Sequence, residues 1–173
     1  MQVKFNIIDD NNLFLLREFI YLNKSNYFRY YLTLPRSAVQ AEPEGSQGPN
    51  KPSINTIAQS PIKNHLLTII LTLENDTSSQ SIQPSIIGYA HLDKDLKDEY
   101  KIWFGIYVLE DFQSKGYGKT IINYIFQYCR LNKIEKIYLS VDKDNEKALI
   151  MYQKNNFIIE SEGLHNFIMY KTF

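Results

Sequence analysis

The chain predicts a mixed α+β fold, a central and mostly antiparallel sheet of about seven strands flanked by about four helices. Three observations predict it. Apolar runs of strand length succeed one another with short polar links, as in an antiparallel meander. The run Ile102–Leu109 breaks at an acidic pair, Glu110-Asp111, and passes through a glycine-bearing turn into a long amphipathic segment, the order strand, loop, helix. That helix leads to a further apolar run, Ile134–Val141, so it is a crossover between two strands.

At 173 residues the chain suits one domain, 1–173. Val3–Ile8 reads as a first strand, and Asp9 or Asp10 can cap a helix over Asn11–Leu22 whose Leu13, Leu16, Phe19 and Ile20 share a face. A short second helix is expected over Asn26–Leu32, where Tyr27, Phe28, Tyr30 and Tyr31 crowd around Arg29. Either these rings pack on the core and Arg29 makes a structural ion pair, or they wall a pocket in which Arg29 holds an anion bidentately. Residues 35–62 are rich in Pro, Gly, Ser, Gln and Ala and follow neither hydrophobic period, so they form a long irregular insertion or a lid over a neighbouring site. Their linker-like composition favours the insertion.

His65–Leu73 and Ser85–Asp93 are the next strands, joined through the polar stretch Glu74–Pro84. In the second, Tyr89, His91 and Asp93 alternate onto one face. The crossover helix carries Ile121, Ile122, Ile125, Phe126 and Cys129 on one stripe, which makes Cys129 a core residue. Asp144 or Asn145 caps a further helix with Ala148, Leu149, Met151 and Tyr152, ended by Asn155-Asn156. Phe157–Glu160 and Phe167–Phe173 are the final strands.

Lys plus Arg equals Asp plus Glu, 19 each, so no net field draws nucleic acid or an anionic membrane, and a small-molecule partner is expected. One cysteine excludes an internal disulfide and any cysteine zinc cluster; His65, His91 and His165 have no metal-site spacing. Met1–Asp10 lacks the pattern of a signal peptide and Ile69–Leu73 is too short to span a bilayer, so a soluble, cytoplasmic protein is expected, as a monomer or homodimer.

The turn Gln113-Ser-Lys-Gly-Tyr-Gly118 is a corner suited to an anion. Its two glycines allow a tight bend with unshielded amide hydrogens, and the following helix adds the positive end of its dipole. It is not a P-loop, because Gln113 stands where the first glycine belongs, and it has one glycine too few for a dinucleotide fingerprint. Q-x-x-G-x-G after a strand resembles the acyl-CoA pyrophosphate loop of the GNAT acetyltransferase superfamily. At the spacing expected of a second motif, N-x-x-A-x-x-x-Y-x-K-x-G-F, Asn145 to Phe157 read N-E-K-A-L-I-M-Y-Q-K-N-N-F. The departure is Asn156 for glycine, and Asn tolerates a left-handed helix end. The resemblance covers roughly Ile86–Glu160.

It implies a three-layer fold and transfer of acetyl from acetyl-CoA to the primary amine of a small molecule, by direct attack in a ternary complex. It further implies that the strand at Ile106, Tyr107 and Val108 splays from its neighbour and pairs with pantetheine, while Gln113, Ser114, Lys115, Gly116, Tyr117, Gly118 and Lys119 hold the pyrophosphate and Asn145 touches the cofactor. Tyr152 matches the tyrosine that donates a proton to the leaving thiolate, or else only packs on Phe157. Family members often carry a Glu or His where Ile102 stands, so the base must lie elsewhere. His91 with Asp93 is the first candidate, ahead of Glu110 and His65. Arg29, Tyr30, His65 and Tyr89 are the acceptor-site candidates, and the aromatic cluster near Arg29 together with the strand Gly88-Tyr-Ala-His-Leu-Asp93 resembles acetyltransferases of amino-sugar nucleotides. The alternatives are a protein N-terminal or lysine acetyltransferase, and a non-catalytic acyl-CoA-binding module.

Overall fold

The computed structural model describes residues 2–9, 11–12, 14–16, 19, 65–74 and 85–173; for Gln2 and His65 it describes the backbone alone. Seven strands form one sheet: β1 (Gln2–Ile7), β2 (His65–Glu74), β3 (Ser85–Lys94), β4 (Ile102–Val108), β5 (Lys136–Asp142), β6 (Ile158–Glu162) and β7 (Asn166–Thr172). Their order is β1-β2-β3-β4-β5-β7-β6, and every neighbouring pair is antiparallel except β4 with β5. The expected meander and crossover are therefore both present.

Among the described residues the helices number three against the expected four: a helical stretch at 14–16 and 19, α1 (Tyr117–Leu131) and α2 (Glu146–Lys154). The segment expected as a helix over Asn26–Leu32, the aromatic cluster around Arg29 and the insertion at 35–62 lie outside the described residues.

Helix α1 is the crossover: it packs on β3 and β4, and its stripe Ile121, Ile122, Ile125, Phe126 and Cys129 is buried in a core shared with residues of β2, β5 and β7. It reaches across the sheet as well: Phe5 of β1 stacks on Tyr124 with ring centres 4.2 Å apart, and the Tyr128 hydroxyl donates to the Leu66 carbonyl at 3.1 Å. Leu15 and Phe19 cover the opposite face, packing with Ile70, Ile86 and Tyr89. A bulge in β3 opposite Leu71 and Thr72 explains how Ile86 and Tyr89 share that side while Ile87 and Ala90 join the main core. Helix α2 begins at Asn145, whose Oδ1 accepts from the Ala148 amide at 3.2 Å. Past its end Asn156 takes φ 61°, the left-handed conformation expected of the residue in the usual glycine's place.

Candidate functional site

The seam between β4 and β5 is a seam only at one end. The two strands share a single register pair, Trp103 with Tyr138, although β4 pairs with β3 along its whole length and β5 with β7 along its whole length. From Trp103 onward β4 and β5 diverge. Leu109 N–H reaches the Ile87 carbonyl at 2.9 Å in the register that continues β3 against β4. Antiparallel bonding alternates, so Tyr107, Gly105 and Trp103 exchange their backbone bonds with β3, whereas Ile106 and Val108 turn theirs into the divergence. The Val108 carbonyl is taken there by Gln113 Nε2 at 2.9 Å. What remains is a short exposed strand edge, the Ile106 N–H and C=O and the Val108 N–H, of the kind that accepts an extended ligand as an added strand.

The glycine turn closes the wide end of this gap. Glu110–Phe112 make a 3₁₀ turn, Gln113 N–H bonds the Glu110 carbonyl at 3.1 Å, and the Gln113 side chain braces β4. The backbone N–H of Gln113 and one of its side-chain N–H groups are thus used within the chain. Lys115 likewise folds back, its Nζ donating to the Asp111 carbonyl at 2.7 Å. Ser114 and Gly116 take positive φ, 59° and 88°, and Gly116 caps α1 through its carbonyl, which accepts from Thr120. A Cβ at Gly116 would meet nothing within 4 Å, so the space above it is open. Among the described residues no backbone carbonyl accepts the amide hydrogens of residues 114–119. Unpaired amides at the positive end of the α1 dipole, beside that open space, fit a pyrophosphate.

On the opposite sheet face lie Tyr89, His91 and Asp93 of β3 beside Trp103, Gly105 and Tyr107 of β4. His91 is buried and its Nε2 stands 3.5 Å from Asp93 Oδ2. Its ring lies on Gly105: a Cβ built there would be 2.2 Å from His91 Cε1. Gly105, which makes room for the candidate His91, was not singled out from the sequence, and its signal was a glycine inside an apolar strand, which marks close approach by another group. Burial first, and then the Asp93 charge, hold the Tyr89 hydroxyl well above its ordinary range, so it stays protonated at neutral pH. Ile102 packs against the main core, on the other face. The expected Tyr107 contact divides: its backbone serves β3 and its ring meets Phe19 edge-on at 6.1 Å.

Tyr152 is buried on α2, its ring edge-on to Phe157 at 5.4 Å. Asn145 Oδ1 accepts at the helix cap, which leaves its second lone pair and the Nδ2 donors for a ligand. His65 stands opposite Asp93 by backbone register. Arg29 and Tyr30 lie outside the described residues. Burial pushes the Cys129 thiol up to about 12, which leaves it protonated and unreactive. Among the described residues no cluster of ligands could hold a metal, and no helix is long and apolar enough to cross a membrane.

Comparison with known proteins follows the same lines. The model of the acetyltransferase (GNAT) family matches residues 40–157. Over 70 residues the chain is 37% identical to spermidine N(1)-acetyltransferase of Escherichia coli K12, covering 38% of this chain and 36% of that protein. Over 60 residues it is 40% identical to acetyltransferase PseH of Campylobacter jejuni, covering 34% and 37%. The match thus spans about a third of the length of these relatives. The solved spermidine N-acetyltransferase of Vibrio cholerae in complex with CoA and spermine superposes with a TM-score of 0.65 at 18% identity, over 99% of this chain and 95% of that one. At that identity the likeness concerns the fold alone.

Proposed function

The chain belongs to the acetyltransferase (GNAT) family, and from that premise we propose that it transfers acetyl from acetyl-CoA to the primary amine of a small molecule, by direct attack in a ternary complex. The observation that carries this reading is the gap between β4 and β5, with the Ile106 and Val108 backbone on one wall and the Gly116 cradle at its mouth. When bound, acetyl-CoA supplies an electrophilic thioester carbonyl. The amides of residues 114–119 offset the pyrophosphate charge, and the β4 edge aligns the pantetheine arm. His91 takes the proton that the attacking nitrogen loses, and Asp93 steadies the imidazolium so formed. The N–C bond forms as the C–S bond breaks, and the Tyr152 hydroxyl gives its proton to the departing thiolate.

For the acceptor we propose an amino-sugar nucleotide, on the resemblance carried by the Gly88–Asp93 strand and the Arg29 cluster. A second reading, a polyamine, is favoured by the Asp93 carboxylate on the acceptor face and by the spermidine N(1)-acetyltransferases among the relatives. CoA release from acetyl-CoA, measured with amino-sugar nucleotides, spermidine and lysine peptides, tests both. Release with the sugar nucleotides alone supports the first; release with spermidine alone moves the acceptor to the second. No release with any amine, despite acetyl-CoA binding, would reduce the protein to a binding module and overturn the transferase reading.

A further inference from the structure

One cavity of about 320 Å³ lies beside the glycine turn, between the first turn of α1 and one face of α2, lined by Lys119, Lys147, Ile150, Met151, Lys154 and Asn155. Lys147, Ile150, Met151 and Lys154 fall at helical spacing on that face, with the two lysines about 10 Å apart along the axis. Lys119 projects from the facing wall. Among the described residues no carboxylate lines the cavity. Other lysines are differently placed: Lys101 and Lys136 pair with Glu160, Lys143 with Glu162, and Lys115 with a carbonyl. Among the described residues none of the three cavity lysines enters an ion pair. Three uncompensated ammonium groups around one opening repel each other and make it a receptor for a multiply charged anion.

The position narrows the choice of anion. A Cβ at Gly118 would stand 3.3 Å from Met151 Sδ, so the cavity begins where the amide cradle of residues 114–119 ends. A ligand whose pyrophosphate sits in that cradle would extend its next group into the cavity. Ile150, half exposed, and Met151 offer an apolar wall to a purine, and the lysines offer a site for a second phosphate. On the reading that the turn binds acyl-CoA, we infer that Lys119, Lys147 and Lys154 receive the 3′-phosphate of coenzyme A, and that the protein distinguishes CoA and its thioesters from their 3′-dephospho forms.

Titration calorimetry with CoA and with 3′-dephospho-CoA at fixed low salt tests this, because both ligands keep the pyrophosphate and differ only in the phosphate at issue. The wild-type protein is expected to bind 3′-dephospho-CoA at least tenfold more weakly, with the gap shrinking as salt rises. The triple variant Lys119→Gln/Lys147→Gln/Lys154→Gln is expected to bind CoA as weakly as wild type binds the dephospho form. All three side chains are exposed, so its melting temperature should match wild type; the wild-type comparison stands without it. Affinities within twofold in wild type would overturn the inference and leave the acyl-CoA reading intact. A tenfold gap that survives in the triple variant would overturn the lysine assignment. Failure of the folded protein to bind either ligand would overturn both.

Discussion

At position 105 the absence of a side chain is what lets an imidazole lie flat across the central strand. A methyl group there would sit 2.2 Å from His91 Cε1 and 2.6 Å from Nε2, well inside contact distance, and the ring is buried. Gly105→Ala must therefore displace His91 or spread β3 from β4. We expect it to destabilise the protein by about 1–3 kcal/mol, the usual range for overpacking, and to lower kcat/KM, both measurable by thermal melting and steady-state kinetics. The double variant Gly105→Ala/His91→Ala should recover the melting temperature without the activity; recovery of both would deny His91 its part in the reaction. Tyr152 poses a different question, because its ring packs on Phe157 whether or not its hydroxyl acts. Tyr152→Phe keeps that edge-to-face contact, so the melting temperature should stay within a degree or two while kcat falls by about a hundredfold or more, the low end of what a positioned acid contributes. Wild-type turnover in this variant would leave the ring as all that matters.

Elements differ in how far their own residues announce them. The glycine turn was legible because its signals are local: Gly116 in the left-handed region, Gln113 three residues before it, and a helix directly after. Asn156 was legible for the same reason, as a residue able to take φ 61°. The divergence of β4 from β5 was expected only through family resemblance, since a lack of pairing between strands some thirty residues apart leaves no trace in either strand's pattern. Of the cavity lysines, Lys119 was expected only as part of the pyrophosphate loop, and no local pattern in the sequence joins Lys147 or Lys154 to it. Gly105 acquires its meaning only opposite His91. The β3–β4 turn shows how a local device serves a distant end. Asp95 accepts from Trp103 Nε1 at 2.7 Å and from the amides of Lys97 at 2.8 Å and Asp98 at 3.2 Å, which pins Trp103 where β4 last meets β5. The Trp103 bond first, then the Lys97 amide, hold the Asp95 carboxyl below its usual range. A folded-state pKa below the unfolded one means that this stabilisation is complete above the ordinary carboxylate range and disappears as pH falls through the lowered value. Asp95→Asn should thus melt earlier than wild type at pH 7, with the two curves converging below about pH 4. A melting gap that stays constant from pH 7 to pH 3 would contradict this role.

As a whole, the molecule is two antiparallel half-sheets, β1 to β4 and β5-β7-β6, joined at one residue pair and by the helix that crosses between them. Closed along its length, such a sheet would be stiffer but would offer no edge to a ligand. On the proposed function a ligand would complete the sheet: a pantetheine arm in the gap would take the Ile106 N–H and C=O and the Val108 N–H that β5 does not reach. Ligand binding is then also a structural link between the halves. Saturation at 100 times Kd should raise unfolding free energy by about 2.7 kcal/mol through mass action alone, and the protection it brings should be localised. Hydrogen exchange at the Ile106 and Val108 amides should slow on adding CoA, while Gly105 and Tyr107, already bonded to β3, should change far less. This alternation is a stricter test than the melting shift, since a ligand bound anywhere on the folded state raises the melting temperature, but only one lying along β4 protects every second residue. Equal slowing at all four amides would indicate general stiffening, and unchanged exchange at Ile106 and Val108 under saturating CoA would place the arm outside the gap. In either case the two half-sheets would have to be held together by α1 without help from the ligand.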